Sequence, residues 1–290
     1  MIVAVAVAGS AGIFAKGVEA MNDSQMTATT EFVVSADATK IAFSRTGKGP
    51  ALILVAGLLS DRRKLAGLAE TLATDFTVIN FDRRGRGGSG DSPNYSVAKE
   101  IADIAALIRA AGGSASVYGH SSGAGLALQA AAAGLAIDRL VAHEPPFGPD
   151  DEASKDGSRR FARSIAELIA AGKHAEAIRT FLSGAGIADE ETEAMIGDPA
   201  TLAMAPTMLY DIEVMGETSA GGAIPKETIR SIRQRTLVMI GSESPPFFMD
   251  TAKAIDGLLS DGELEALAGA DHGAKASKVA PSIRRFLLSM

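Results

Sequence analysis

The feature that most constrains this chain is a recurring pattern of short apolar runs that stop at a glycine or a polar turn, separated by stretches with helical spacing. Residues 51–55 read Ala-Leu-Ile-Leu-Val, with no polar member, and lead directly to Gly57. Residues 76–81, 115–118, 140–143, 236–240 and 264–267 are further apolar-rich runs of strand length. A strand that is apolar at every position must be covered on both faces. Between two of these runs, Ile101, Ile104, Ala105, Ile108 and Ala111 recur at helical spacing until Gly112-Gly113 ends the pattern. Residues 123–133 form an Ala/Leu helix directly after another run. Parallel strands need crossovers, so the alternation predicts an α/β fold with a mostly parallel, doubly wound sheet. A short hairpin over residues 32–34 and 41–45 precedes it, its turn carried by residues 36–40.

Residues 149–225 break the alternation. Segments 161–171, 174–182 and 201–215 read as helices with no strand between them. This predicts a helical cap inserted into a core made of residues 31–148 and 226–290. Met195, Met204, Met208 and Met215 suit an adaptable apolar ceiling over a ligand, and equally suit ordinary helix packing. Residues 1–30 are expected to be an extension outside the core. They begin apolar and small, but the first positive charge is Lys16, so the basic start of a secretory signal is missing. Ser10 and Lys16 also interrupt the run before it could cross a bilayer. Met21 and Met26 are alternative starts, and a cytoplasmic protein is expected, with a signal or anchor as the lesser alternative.

Composition narrows the function classes. With 47% apolar residues among 290, the chain can bury a sizeable core. Its 28 Lys and Arg against 35 Asp and Glu give a net charge of −7, which repels phosphate backbones and anionic lipid. Nucleic acid and membrane are therefore not expected as partners. The absence of cysteine excludes disulfides, thiolate metal sites and a cysteine nucleophile.

Gly119-His120-Ser121-Ser122-Gly123 carries the chemistry. It follows a strand and opens a helix, and a serine on so sharp a turn must adopt a strained backbone that flanking glycines make room for. The hydroxyl is then lifted off the sheet at the positive end of a helix. A glycine-rich turn needed only for tight packing is the blander alternative. Three more stretches stand in order around it: Val55-Ala56-Gly57-Leu58-Leu59, Asp82-Arg83-Arg84-Gly85-Arg86-Gly87-Gly88-Ser89, and Asp271-His272-Gly273. Together they resemble the α/β-hydrolase superfamily over residues 31–290. The resemblance implies Ser121 as nucleophile, His272 as its base, and the backbone N–H groups of Leu58 and Ser122 as the oxyanion hole. His120, beside Ser121 on a tight turn, is expected to point elsewhere.

The acid departs from the commonest pattern of that family, which places an aspartate after the strand following the cap. Here Gly241-Ser242-Glu243-Ser244-Pro245-Pro246 puts Ser244 at that position. Glu243 is adjacent, but strand alternation should turn it away from His272. A second placement in the family lies after the preceding strand, where His143-Glu144-Pro145-Pro146 offers Glu144 with two prolines stiffening its exit. The sequence also looks like a subgroup of capped hydrolases that pairs Glu-Pro-Pro with a later Ser-Pro-Pro. Glu144 is preferred, with Glu243 the alternative.

The string from Gly85 to Gly90 literally matches G-x-G-x-x-G. No helix opens within it and the next strand ends in Gly119 rather than an acid, so a dinucleotide is not expected. Asp82, Arg83 and Arg84 are expected to brace that loop from within. The four histidines show no metal-ligand spacing, and neither metal nor cofactor is expected. The function expected is a serine hydrolase cleaving a small carboxylic ester, lactone or related acyl compound through an acyl-enzyme. Acyl transfer, C–C hydrolysis and cofactor-free perhydrolysis use the same triad, and a ligand-binding protein with a vestigial triad is the alternative of another class. The partner expected is a small apolar acyl compound, with a homodimer left open.

Overall fold

The structure, a computed structural model, describes residues 29–289, so all but the end of the expected N-terminal extension lies outside the described residues. The strands are β1 (Thr30–Val34), β2 (Lys40–Thr46), β3 (Ala51–Val55), β4 (Thr77–Phe81), β5 (Ala115–His120), β6 (Ile137–His143), β7 (Arg235–Gly241) and β8 (Gly262–Leu267). The core helices are α1 (Ala66–Leu72), α2 (Val97–Ala110), α3 (Ser122–Ala132), α9 (Lys226–Ser231), α10 (Pro246–Asp256) and α11 (Ala276–Leu288). Between β6 and β7 come α4 (Glu152–Ala170), α5 (His174–Gly184), α6 (Asp189–Gly197), α7 (Pro199–Ala203) and α8 (Met208–Val214).

The strands form one eight-stranded sheet in the order β1-β2-β4-β3-β5-β6-β7-β8. β2 pairs antiparallel with β1 and β4, and every other pairing is parallel. The all-apolar strand β3 shows why. Ile53 and Val55 enter a core shared with α2 and α3, whereas Leu52 and Leu54 enter a separate core with α1 and α11. Period-two alternation thus buries both sheet faces, and each face needs its own helical layer. Helices α1, α9 and α10 are short crossover or flanking segments that the sequence reading did not pick out. α1 and α9 run seven and six residues, too few for a helical period to stand out.

The inserted helices leave and rejoin the core at one bridge, Gly148 to Ala223, where the Gly148 N–H donates to Gly222 O at 2.8 Å. They have their own core, in which Ile165, Ile178, Phe181, Met208 and Ile212 surround Leu59. The methionines serve packing: Met204 and Met208 lie inside that core with Met195 against it, while Met215 lies in the core beneath α3. Among the described residues, no helix is long and apolar enough to cross a membrane.

Candidate active site

The site is built at the C-terminal edge of the parallel strands, where open α/β sheets bind ligands. β5 ends at His120, and α3 begins at Ser122 with Ser121 between them at φ 56°, ψ −128°. That backbone is sparsely populated for a side-chain-bearing residue and costs about 1–3 kcal/mol. Hydrogen bonds hold it: Ser121 N–H donates to His143 O at 2.9 Å, and Ser121 O accepts from Ala124 N–H at 2.9 Å. The two glycines of the motif are needed for close approach. A Cβ on Gly119 would sit 2.4 Å from Gly123 O, and one on Gly123 would sit 2.3 Å from Val55 O. The α3 helix therefore starts hard against β3 and β5, which places its positive end under the serine.

Gly57, in the loop after β3, packs on the nucleophile turn so closely that a Cβ there would lie 3.0 Å from Ser121 Cβ and 3.1 Å from His120 O. Among the described residues, neither Leu58 N–H nor Ser122 N–H has a hydrogen-bond acceptor. One of these amides is next in the chain to partly exposed Ser121, and the other is next to Gly57, which packs on the same turn.

His272 comes from the loop after β8, and its Nδ1 lies 2.5 Å from Glu144 Oε2. Glu144 follows β6, is fully buried, and has φ 50°. Its N–H donates to Met239 O at 3.0 Å. Its other oxygen, Oε1, accepts from Gly241 N–H and Ser244 Oγ, each at 2.6 Å. Burial opposes ionisation of this carboxyl, but the bonds and charge of His272, then the His143 field and the Ser244 hydroxyl, outweigh it and hold its pKa below the usual value. Glu243, by contrast, is exposed and shares a hydrogen bond with its neighbour Ser242. The structure therefore brings Glu144 and His272 together and leaves Glu243 outside.

Two aromatic neighbours fix the His272 ring. Phe248 on α10 stacks on it at 4.9 Å between centroids, and His120 lies beside it at 4.7 Å. His120 is turned to the histidine loop: its Nε2–H donates to His272 O at 2.9 Å, tying the loop of the imidazole to the serine turn. The ring projects along the end of β5 towards β8's loop, a direction that residue adjacency could not reveal. Burial keeps His120 neutral, aided by the neighbouring His272 and His143. Burial likewise pushes His143 down to about 4. Among the described residues, no hydrogen bond joins Ser121 Oγ to the His272 ring, a separation common before substrate draws such groups together. His174 lies at the start of α5, away from this cluster, beside a shallow surface cleft of about 430 Å³.

No helix opens within residues 85–90, and α2 begins only at Val97. Asp82 accepts from Arg62 N–H and Gly88 N–H, both at 2.7 Å, and Arg84 pairs with Asp103 and Asp37. Asp82 braces the loop from within through Gly88, but neither arginine does: Arg84 reaches Asp103 on α2 and Asp37 in the β1–β2 turn, and Arg83 meets Glu100 on α2 and Asp211 on α8.

The family follows from this architecture and from sequence likeness together. The model of the "Alpha/beta hydrolase family" matches residues 52–277. The chain belongs to that family. It is a hydrolase enzyme by that membership. An α/β hydrolase of known structure from Sphaerobacter thermophilus is 41% identical, with a TM-score of 0.79 over 89% of this chain and 100% of its own. N-formylmaleamate deformylase of Pseudomonas putida is 42% identical over 112 residues, a match spanning 37% of this chain and 42% of the deformylase. The esterase RhEst1 from a Rhodococcus species shares the fold at 22% identity, with a TM-score of 0.66 over 90% of this chain and 98% of its own.

Sequence reasoning missed three contributors to this hydrolase's site: Ser244 as a partner of Glu144, Phe248 against His272, and Asp211. The first two sit in the Ser-Pro-Pro-Phe-Phe stretch, where the prolines were the visible signal. Asp211 gave none, because its partners lie 89 to 128 residues away.

Proposed function

We propose that this enzyme is a serine hydrolase that cleaves a small acyl compound, such as a carboxylic ester or lactone, through an acyl-enzyme. His272 takes the proton of Ser121 as the oxygen attacks the carbonyl carbon. Glu144, ionised and aimed at Nδ1, fixes the imidazole tautomer and stabilises the imidazolium. The Leu58 and Ser122 amides receive the carbonyl oxygen as it becomes an anion, and each such donor contributes about 3 kcal/mol to barrier lowering. The proton then passes from His272 to the leaving group. Water, deprotonated by His272, attacks the acyl carbon and releases the acid and Ser121.

One observation carries the reading: a buried carboxylate 2.5 Å from Nδ1 of a partly exposed histidine whose own loop is tied to the serine turn. The relatives that hydrolyse an ester or a formyl amide, by their names, agree with chemistry passing through the same tetrahedral oxyanion. The domain division into a core of 31–148 and 226–290 with a cap over 149–225 is part of this proposal, the cap covering the strand ends. The test is hydrolysis of p-nitrophenyl acetate and butyrate, with mass spectrometry after a fluorophosphonate. A single adduct on Ser121, and loss of turnover in Ser121→Ala on the order of 10⁶-fold, are expected. An unmodified Ser121, or an active Ser121→Ala enzyme, overturns the reading.

A further inference from the structure

The conspicuous structure outside the triad is a buried cluster of four charges that joins the inserted helices to the nucleophile turn. Arg83, Arg86, Glu100 and Asp211 are each no more than 2% exposed, so two cations and two anions sit together out of water. Asp211, on α8, is the hub. Its Oδ1 accepts from Arg83 Nη1 and from Ser122 Oγ, both at 2.6 Å, and its Oδ2 accepts from Arg86 Nη2 at 2.5 Å. Arg83 spreads its remaining donors over Glu100, at 2.7 Å to each oxygen, and Tyr95 O–H donates to the same carboxylate. Arg86 reaches back with Nη1 to Gly57 O at 2.7 Å, while its Nε donates to Thr207 Oγ1 at 3.1 Å.

The contact with Gly57 O matters because of peptide geometry. In a planar trans peptide the C=O of one residue and the N–H of the next point in opposite directions. The guanidinium on Gly57 O therefore sets the direction of Leu58 N–H, and a charged donor on the oxygen polarises the same unit's N–H. Asp211 simultaneously grips the side chain of Ser122, whose N–H is the other free amide. One carboxylate from the insertion thus controls both.

We propose that Asp211 and Arg86 are positioning residues for the oxyanion hole, so that seating α8 on the core completes the catalytic geometry. The inference rests on the serine-hydrolase reading above. A buried ion cluster adds little stability over well-packed apolar residues, so what it supplies here is fixed direction. The hole must hold its donors in place before the oxyanion forms, since reorientation during the reaction would raise the barrier. The elbow alone fixes Ser122 only through α3, and the loop after β3 has no ladder partner at Leu58. Asp211 supplies the missing restraint to both.

The experiment uses the full chain, its active sites titrated to completion with a fluorophosphonate. Turnover of p-nitrophenyl acetate is measured per titrated site, with inhibition by a small alkyl boronic acid whose tetrahedral adduct occupies the hole. In Asp211→Asn, kcat per site falls about 100-fold, boronate affinity falls by a similar factor, and KM changes less than about threefold. Ser122→Ala keeps both amides and loses only the tether, so kcat per site falls about 5- to 10-fold, as for one lost hydrogen bond of typical net strength. Arg86→Lys, which keeps the charge but not the fork, falls between the two. A merely structural role would lower the number of titratable sites and the Tm while leaving kcat per site intact. That result in Asp211→Asn, or in Ser122→Ala should Asp211→Asn not fold, overturns the proposal. A wild-type protein that never labels at Ser121 overturns both this inference and the function it rests on. A labelled wild type with unaltered variants overturns this inference alone.

Discussion

Glu144 is held in a backbone conformation that a glutamate rarely adopts, and four hydrogen bonds explain why it stays there. Its amide, its Oε1 twice and its Oε2 once are all engaged, by Met239, Gly241, Ser244 and His272. A strained, buried, fully satisfied carboxylate is a pre-set one. Glu144→Gln keeps the shape but donates where it should accept, and a drop in kcat of about 10⁴-fold is expected by analogy with the amide variant of a serine-protease triad. Glu243→Gln is expected to stay within about twofold, since surface changes rarely matter. Steady-state kinetics on the two variants decide this, and equal losses would remove the acid role from Glu144. Ser244 makes a sharper test possible. Its hydroxyl already lies 2.6 Å from the Glu144 carboxylate, so an acid grown from position 244 begins within reach of the same imidazole. Glu144→Ala combined with Ser244→Asp is expected to recover at least about tenfold over Glu144→Ala alone, comparable to regaining one strong charge-assisted hydrogen bond.

At the scale of elements, the decisive object is the junction of β3, β5 and α3. Helix α3 contributes Ala124, Leu126, Ala127, Leu128 and Ala130, all fully buried, because small and unbranched side chains let it run close beneath the sheet. Its first turn has no room even for a methyl group: a Cβ at Gly123 would meet Val55 O at 2.3 Å and Ala56 O at 2.6 Å. These are backbone atoms at the end of β3 and of the residue that follows it, which cannot swing aside. Gly123→Ala is therefore expected to destabilise by about 3 kcal/mol or more, the upper end of overpacking costs. It should also lower activity per folded molecule by shifting the serine. Urea unfolding with parallel assays checks both, and a neutral Gly123→Ala would contradict the tight junction. Gly67, where an added Cβ meets nothing within 4 Å, serves as the control helix glycine. At an open helical position, Gly67→Ala is expected to stabilise slightly.

For the whole molecule, the buried histidines link stability to acidity. His143 sits beneath the site with burial pushing it down to about 4, against a small opposing pull from Glu144. The unfolded chain binds that proton near 6.5, whereas the folded one does not until about 4. Between those values the unfolded state holds more protons, so stability present above pH 6.5 is lost as the pH falls towards 4. The loss amounts to about 3 kcal/mol for this residue. His120, also depressed by burial, acts in the same direction. Urea unfolding at pH 7 and pH 4.5 is expected to show the decline, and His143→Gln should remove a large part of it. Identical pH dependence in the two proteins would show that His143 titrates normally in the folded state.

The order of the strands along the chain was legible in the sequence because burial on both sheet faces leaves a mark, whereas helices α1, α9 and α10 were not. Residues 51–55 read as a strand buried on both faces, and the serine turn read as a strand-to-helix bend. Ser121 stood out by its glycine-flanked turn, whereas His272 and the two candidate acids were named through the resemblance to the α/β-hydrolase superfamily, whose motifs stand at strand ends. Which acid meets His272 could not be read, because 97 to 100 residues separate Glu144 from the groups that aim it. The direction of the His120 ring was equally hidden, as was the reach of Asp211 into the nucleophile turn. Local sequence dictates backbone path and which positions are buried. The pairing of charges in the interior depends on where distant segments land, and only the assembled chain decides that.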